Sequence, residues 1–248
     1  MQYNTYMRQI EKILQELAGE RNLNYQSFAD GWIIKFDQQF VTGYHFSINN
    51  AAASRLCDDK SATSELLAEA GLPVISHEFF MEMDELRLHR LMNRYDSLVL
   101  KPNQGSGGLE VEKISNQQDL MTTAEKILAK GNFLAVAPFI EFKNEFRLII
   151  LKQEVQLIYV KQIQEGWKHN LGLGAIPQIL ESHPELEKLA LQATKTLDIN
   201  FASVDIAESA DGFKILEVNS GVMMEKFSAL SDKNYQTAKK IYGKALKL

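Results

Sequence analysis

The chain has 248 residues, 45% hydrophobic and 24% charged, which is enough apolar material for a sizeable core and the composition of an ordinary globular protein. Its formal net charge of −5 argues against a nucleic-acid-binding surface, and the single cysteine, Cys57, excludes an internal disulfide. The polar start, the lack of a long apolar run and five histidines without ligand spacing predict no signal peptide, no membrane span and no zinc site, hence a soluble cytoplasmic protein.

In chain order, Met7, Ile10, Ile13, Leu14 and Leu17 recur at helical spacing and predict a helix over about residues 4–18, stopped by Gly19. Strand-like pieces follow at 31–36 and 40–48. A second helix starts near Asp58 and Asp59, places Ala62, Leu66, Leu67 and Ala70 on one face, ends at Gly71 and is sealed by Pro73. Next come a strand at 78–81, a helix at 84–92, a strand at 97–101, a glycine-rich loop at 103–108 and a strand at 109–114. Ser115 with Gln118 reads as a capping box for a helix to Lys130, closed by Gly131. A buried strand at 133–137 precedes a hairpin of 145–151 with 154–162. Pro184 opens a further helix, and 201–208 pairs with 213–218 around Asp211 and Gly212. A lysine-rich helix finishes the chain, and the alternation predicts an α+β or α/β fold.

Several stretches carry chemistry. In 98–108 (LVLKPNQGSGG) a strand ends on Lys101 and runs into glycines and small polar residues. Glycine lets backbone N–H groups approach phosphate oxygens, and lysine adds a point charge; a tight turn between strands is the plainer reading. Further on, Glu217 and Asn219 share one strand face, with Asp205 roughly opposite across the hairpin. Two carboxylates and an amide oxygen make a hard oxygen site suited to Mg²⁺ held jointly with phosphates. Glu145 and Arg147 share a face near Lys161, which fits either a cleft lining or a cross-strand ion pair. The loop 167–174 (WKHNLGLG) offers Lys168, Asn170 and two glycines. Lys60, just inside a helix N-terminus, is mildly unfavourable against the helix dipole; an anion bound at that end would explain it, and an exposed, unpaired surface lysine is the plainer reading.

The order and spacing of these pieces resemble the ATP-grasp ligases over about residues 50–225. Asp59 and Lys60 followed by 66–74 (LLAEAGLPV) look like the opening segment of cyanophycin synthetase, bifunctional glutathione synthetases and D-alanine–D-alanine ligase. By that resemblance Lys60 and Lys101 contact nucleotide phosphates, and Gly105, Ser106, Gly107 and Gly108 form a mobile lid. Ala137, Pro138, Phe139 and Ile140 form the hinge whose backbone reads adenine, and Glu145 is the ribose-binding acid. Arg147 matches an arginine of the ribosomal-protein glutamate ligase and cyanophycin branches, and 167–174 is similar to the Arg-x-Asn-Leu loop of glutathione synthetase and glutamate ligases. This makes Lys168 a nucleotide contact and Asn170 a catalytic candidate beside Arg147 and Lys161. Asp205, Glu217 and Asn219 match the Mg²⁺ ligands, with Mn²⁺ as a substitute.

The resemblance implies an ATP-grasp fold: two α+β lobes, about 58–140 and 141–248, clamping ATP behind a short N-terminal segment, 1–57. It implies a ligase that activates a carboxylate as an acyl phosphate, releases ADP and phosphate, and joins the acid to the amine of an amino acid or peptide. A kinase-like phosphotransferase and a non-catalytic nucleotide-binding subunit are the other readings. Two departures stand out: Ser203 replaces an arginine found in some relatives, and 220–224 (SGVMM) replaces a tight turn. The short N-terminal segment leaves no room for a full substrate-binding domain, so the acid is expected to be held by the clamp itself, by a second copy in a homodimer, or by a partner protein. Val222 to Met224 is the candidate contact for such a partner, the plainer reading being that both methionines are core residues.

Overall fold

Three antiparallel sheets succeed one another along the chain; the computed structural model describes residues 7–105, 110–162 and 176–247. The first is a four-stranded meander, β1 (Tyr25–Phe28), β2 (Ile33–Phe36), β3 (Gln39–Thr42) and β4 (His45–Phe46). The second has the order β5-β8-β6-β7, from β5 (Glu78–Phe80), β6 (Leu98–Pro102), β7 (Glu112–Ile114) and β8 (Leu134–Pro138). The large third sheet has the order β11-β10-β9-β12-β13, from β9 (Phe142–Leu151), β10 (Glu154–Gln162), β11 (Ile176–Leu180), β12 (Phe201–Ser209) and β13 (Gly212–Asn219).

Alternation along β9, β10 and β12 gives the large sheet two different faces. Phe146, Leu148, Ile150, Ile158, Val204 and Ile206 point to one side and pack with Leu67 of α3 (Lys60–Glu69) and Leu186, Leu189 and Ala193 of α6 (Pro184–Thr196). The opposite face is divided. At one end Ile149, Leu151, Leu157, Tyr159 and Phe201 join a core with α1 (Gln9–Arg21), the meander and α8 (Asp232–Ala245). At the other end the same face carries ionic side chains. The second sheet has its own core with α4 (Glu85–Arg94) and α5 (Gln117–Ala129). Residues 60–75, expected with that middle lobe, pack instead on the large sheet, where Ile75 N donates to Ile215 O at 2.9 Å and Ile215 N to Pro73 O at 2.8 Å.

Several local expectations are corrected by the caps. The first helix runs past Gly19 to Arg21 and turns at Asn22, whose φ of 51° is left-handed; asparagine adopts that conformation more readily than most residues. The helix expected to start near Asp58 and Asp59 is α3; a separate helix, α2 (Ala51–Asp58), precedes it, because Asp59 leaves helical geometry and its carboxylate accepts from Ala62 N at 2.9 Å. Ser115 does not cap α5. Its hydroxyl pairs with Ser97 at 2.9 Å, and Asn116 takes the cap by accepting from Asp119 N at 2.9 Å. Four elements have no counterpart among the expected ones: β1, α2, β11, and α7 (Glu225–Ala229), which follows the large sheet.

Candidate active site

The floor of the site is one row across four strands. Tyr159, Arg147, Asp205 and Glu217 are successive register partners on β10, β9, β12 and β13. Neighbouring rows place Lys161 beside Glu145 and Asn219 beside Ser203. Glu217 reaches this face because of a bulge: the register shifts between Asp205 and Ile206, so Ile215 pairs with Ile206 and Leu216 is extra. In a regular strand Ile215 and Glu217 would share a face. The extra residue sends Ile215 into the helix-covered core and leaves Glu217 opposite Asp205.

The buried ions form a closed set. Arg147 Nε and Nη2 donate to the two Asp205 oxygens at 2.6 and 2.5 Å. Lys161 Nζ donates to Asp205 Oδ2 at 3.1 Å and to Glu145 Oε1. Asp205 and Lys161 are each 2% exposed, and Glu145 is 6%. Burial opposes the Asp205 charge, but Arg147 and then Lys161 outweigh it and hold the carboxyl well below the usual carboxylate range. At Glu145 burial is the largest influence and raises the carboxyl, with Lys161 pulling the other way. Beside this set, Asn219 Nδ2 donates to Glu217 Oε1 at 2.9 Å.

The facing wall comes from α3 and the end of β6. Lys60 N donates to Asn103 O at 3.2 Å, and Lys60 Nζ reaches Gly105 O at 2.7 Å and Asn103 O at 3.4 Å. Asn103 is fully buried; its Oδ1 accepts from Ser61 N at 3.0 Å and its own N–H bonds Phe133 O at 2.8 Å. The root of the glycine-rich loop is thus tied to the N-terminus of α3. Lys101, at the end of β6, is pushed down to about 8, chiefly by burial and secondarily by Lys60, with Glu217 opposing. A lysine so destabilised as a cation gains from an anion bound beside it.

Between floor and wall lies a cleft of about 480 Å³ lined by Lys60, Thr63, Ser64, Gly105, Arg147, Lys161, Ser203, Glu217 and Asn219. The meander closes its other end with Trp32, Tyr44 and His45, next to Met223, Glu225 and Lys226. These residues line that end of the cleft from within this chain. Val222 and Met224, expected as an exposed contact, are core residues at 0% and 1% exposure; of the three, Met223 alone faces outward, at 39%.

The site expectations can now be placed. Lys60, Gly105, Arg147, Lys161, Glu217 and Asn219 line one cleft, and Lys101 stands within electrostatic reach of Glu217. Asp205 is on the same floor, but both its oxygens are occupied by Arg147 and Lys161. Glu145, expected at a ribose, is locked to Lys161 instead. Ala137, Pro138, Phe139 and Ile140 connect β8 to β9, where Phe139 N donates to Ser97 O at 2.9 Å; none is among the described residues lining the cleft. Ser106, Gly107, Gly108, Lys168 and Asn170 lie outside the described residues. Trp32, Tyr44, His45 and Asn103 escaped sequence reasoning; only Asn103, inside the glycine-rich stretch, had a signal that could have found it.

The donor set fits a divalent cation in a limited way. Among the described residues no group of three His, Cys, Asp or Glu side chains gathers for a metal. What the floor offers is Glu217 and the Asn219 amide oxygen, with Asp205 opposite Glu217 but engaged by Arg147 and Lys161; oxygen donors of this kind suit Mg²⁺ when phosphate oxygens complete its shell. Nor is any described helix long and apolar enough to cross a membrane.

The family profile of the RimK-like ATP-grasp domain matches residues 57–242. The chain is similar to the tetrahydromethanopterin:alpha-L-glutamate ligase of Methanocaldococcus jannaschii, 30% identical over 86% of this chain and 74% of the relative. It is also similar to the glutamate–LysW ligase ArgX of Sulfolobus acidocaldarius, 28% identical over 67% of this chain and 60% of that protein. Among solved structures, the D-alanine–D-alanine ligase of Bacillus anthracis superposes with a TM-score of 0.63 at 20% identity, covering 80% of this chain and 68% of the other, which shows a shared fold. The chain belongs to the RimK-like ATP-grasp family of ATP-dependent carboxylate–amine ligases.

Proposed function

We propose that the cleft binds the ATP phosphates between Lys60, Lys101 and the root of the glycine-rich loop on one side and Glu217 and Asn219 on the other, and that a substrate carboxylate is activated there. One observation carries this reading: a lysine-bearing helix N-terminus and a carboxylate–amide pair line a single cleft that also contains Arg147. A carboxylate oxygen attacks the γ-phosphorus, ADP leaves, and an acyl phosphate results. The amine of an amino acid or peptide then attacks the acyl carbon, loses a proton and expels phosphate, forming the amide, a peptide bond where both partners are amino acids.

Each residue's part follows from charge. Lys60 and Lys101 neutralise the phosphate oxygens that would otherwise repel the incoming carboxylate. Arg147, oriented by its two bonds to Asp205, directs its guanidinium at the oxyanion of the acyl intermediate. Lys161 and Glu145 act on the floor as positioning residues. Glu217, Asn219 and Asp205 are the residues that would hold Mg²⁺ or Mn²⁺, which when bound offsets the triphosphate charge. The adenine hinge at 137–140, the lid at 105–108, and the roles of Lys168 and Asn170 rest on the sequence resemblance alone.

The test is a panel of amino acids and dipeptides assayed for ADP and phosphate release, with hydroxylamine present to trap an acyl phosphate as a hydroxamate. Release of AMP and pyrophosphate would exclude the acyl-phosphate route. A stable phosphoester product would indicate transfer to a hydroxyl instead.

A further inference from the structure

We infer that the meander end of the cleft selects a substrate residue with an uncharged, apolar side chain, with Trp32 as the specificity-determining residue. This rests on the ligase reading above, because it names the substrate class for that cleft.

Trp32 is half exposed, at 50%, yet it is not free to move. The Arg8 guanidinium lies 5.0 Å from its ring centroid and 5.4 Å from that of Tyr44, and the two rings meet edge to face at 6.4 Å. Arg8 is held in turn by the carbonyls of Gly31 and Gly43. Gly43 supports the indole from behind: a Cβ there would come within 2.8 Å of Trp32 Cζ2, and Gly43 N donates to Trp32 O at 2.7 Å. An aromatic surface that is fixed before binding loses little entropy on contact, which suits it to recognition. Met223 adds a polarisable apolar neighbour in the same cleft.

The charged groups at this end point the same way. Arg8 is committed to the two rings and two carbonyls. His45 Nδ1 is paired with Ser220 Oγ at 3.2 Å, and its ring packs on Gly221, where a Cβ would meet it at 3.1 Å. The Glu225 carboxylate accepts from Gln9 N and Ile10 N at 2.7 and 2.9 Å, so it caps α1. Among the described lining residues at this end, that leaves Lys226, which is solvent-exposed, as the cation without a salt bridge. An acidic side chain laid on the indole would lose hydration there while the half-buried Arg8 guanidinium beside the ring stays engaged by two carbonyls, which is unfavourable. An aliphatic or aromatic side chain meets a surface already dry on one side. Meanwhile its carboxylate extends along the same cleft towards Lys60 and Glu217.

The experiment uses the full chain, whose only tryptophans are Trp32 and Trp167. In a Trp167→Phe background, Trp32 emission is followed while phenylalanine, leucine, glutamate and aspartate, free and as Xaa-Gly dipeptides, are titrated with a non-hydrolysable ATP analogue and Mg²⁺ present. The apolar probes are expected to shift the emission and to saturate at concentrations roughly 10-fold or more below the acidic ones. In the otherwise native chain, Trp32→Ala is expected to raise KM for the apolar probes by roughly 10- to 100-fold with ATP affinity unchanged, and Trp32→Phe to restore most of the loss. The phenylalanine variant also guards against a simple folding defect in Trp32→Ala. Acidic probes binding as tightly as apolar ones, or Trp32 emission unmoved by every probe, would overturn the inference. Apolar binding without ADP release would uphold it and remove the ligase reading. ADP release driven by glutamate and indifferent to Trp32→Ala would do the reverse.

Discussion

At the scale of single residues the floor is governed by how charges are paired. Asp205 neutralises two buried cations, so Asp205→Ala strands Arg147 and Lys161 in a dry environment and is expected to cost about 3–5 kcal/mol in denaturant unfolding. Asp205 titrates below its unfolded value, so its contribution is present at neutral pH, begins to fade as acid protonates the carboxyl of the unfolded chain, and is gone once the pH falls to the depressed folded value. Lys101 behaves in the opposite sense. The folded chain releases its proton near 8 and the unfolded chain near 10.5, so the unfolded state binds more protons in that window and stability rises with pH across it. ATP needs the charged amine. Affinity measured by calorimetry is expected to fall as pH passes about 8, and Lys101→Met to bind weakly with that inflection gone. An unchanged pH profile in Lys101→Met would remove Lys101 from the phosphate site. The residue types at these positions were readable from the sequence; their pairing was not. Arg147 and Asp205 are 58 residues apart, and a strand's alternation gives the face a residue occupies without saying which strand lies alongside. The order β10-β9-β12-β13 decides that Arg147 pairs with Asp205, and that Glu145 is consumed by Lys161.

At the scale of elements, what was legible followed from periodicity and turn chemistry, and what was missed followed from contacts between distant segments. The two hairpins of the large sheet and the helix opened by Pro184 stand where the apolar patterns put them. The bulge at Leu216 could not be read, because an extra residue in an apolar run leaves the run apolar. The meander was seen only as two fragments, since β1 and β4 are 4 and 2 residues long and mostly exposed on one side. Besides the core it shares with the large sheet, one side chain ties its exit to that sheet. Asn49 Nδ2 donates to Phe201 O at 2.7 Å, and Asn49 Oδ1 accepts from Phe201 N at 2.8 Å and Asn200 N at 3.1 Å, so the amide pairs with the start of β12 much as a neighbouring strand would. Asn49→Ala leaves those backbone groups unpaired and is expected to cost about 1–3 kcal/mol. Asn49→Asp keeps the acceptor and should fall in between. Urea unfolding of the three proteins would show the order, and a wild-type midpoint for Asn49→Ala would mean that the clamp contributes nothing.

At the scale of the whole molecule, the N-terminal segment is part of the enzyme's core and of its cleft at once. Ile149, Leu151, Leu157, Tyr159 and Phe201 lie on the active face of the large sheet, and the cluster that buries them contains Ile10, Ile13, Leu14, Ile34 and Val41 from α1 and the meander. Exposing those five sheet side chains would forfeit about 1.5–3 kcal/mol each. Their sum is of the same order as the whole net stability of a typical domain, about 5–15 kcal/mol. A chain reduced to residues 49–248 is therefore expected to lose cooperative unfolding and to aggregate, even though it retains the whole of the family match at 57–242. The same packing bears on assembly. Trp32, Tyr44 and His45 line the cleft from within this chain, which is the arrangement expected of a clamp that holds the acid itself. ADP release per chain should then stay constant across a dilution series that takes the protein through any self-association seen by sedimentation. Turnover that collapses on dilution would assign part of the acid's grip to a partner subunit. A 49–248 fragment that unfolds cooperatively and binds ATP like the full chain would show that the meander is an appendage.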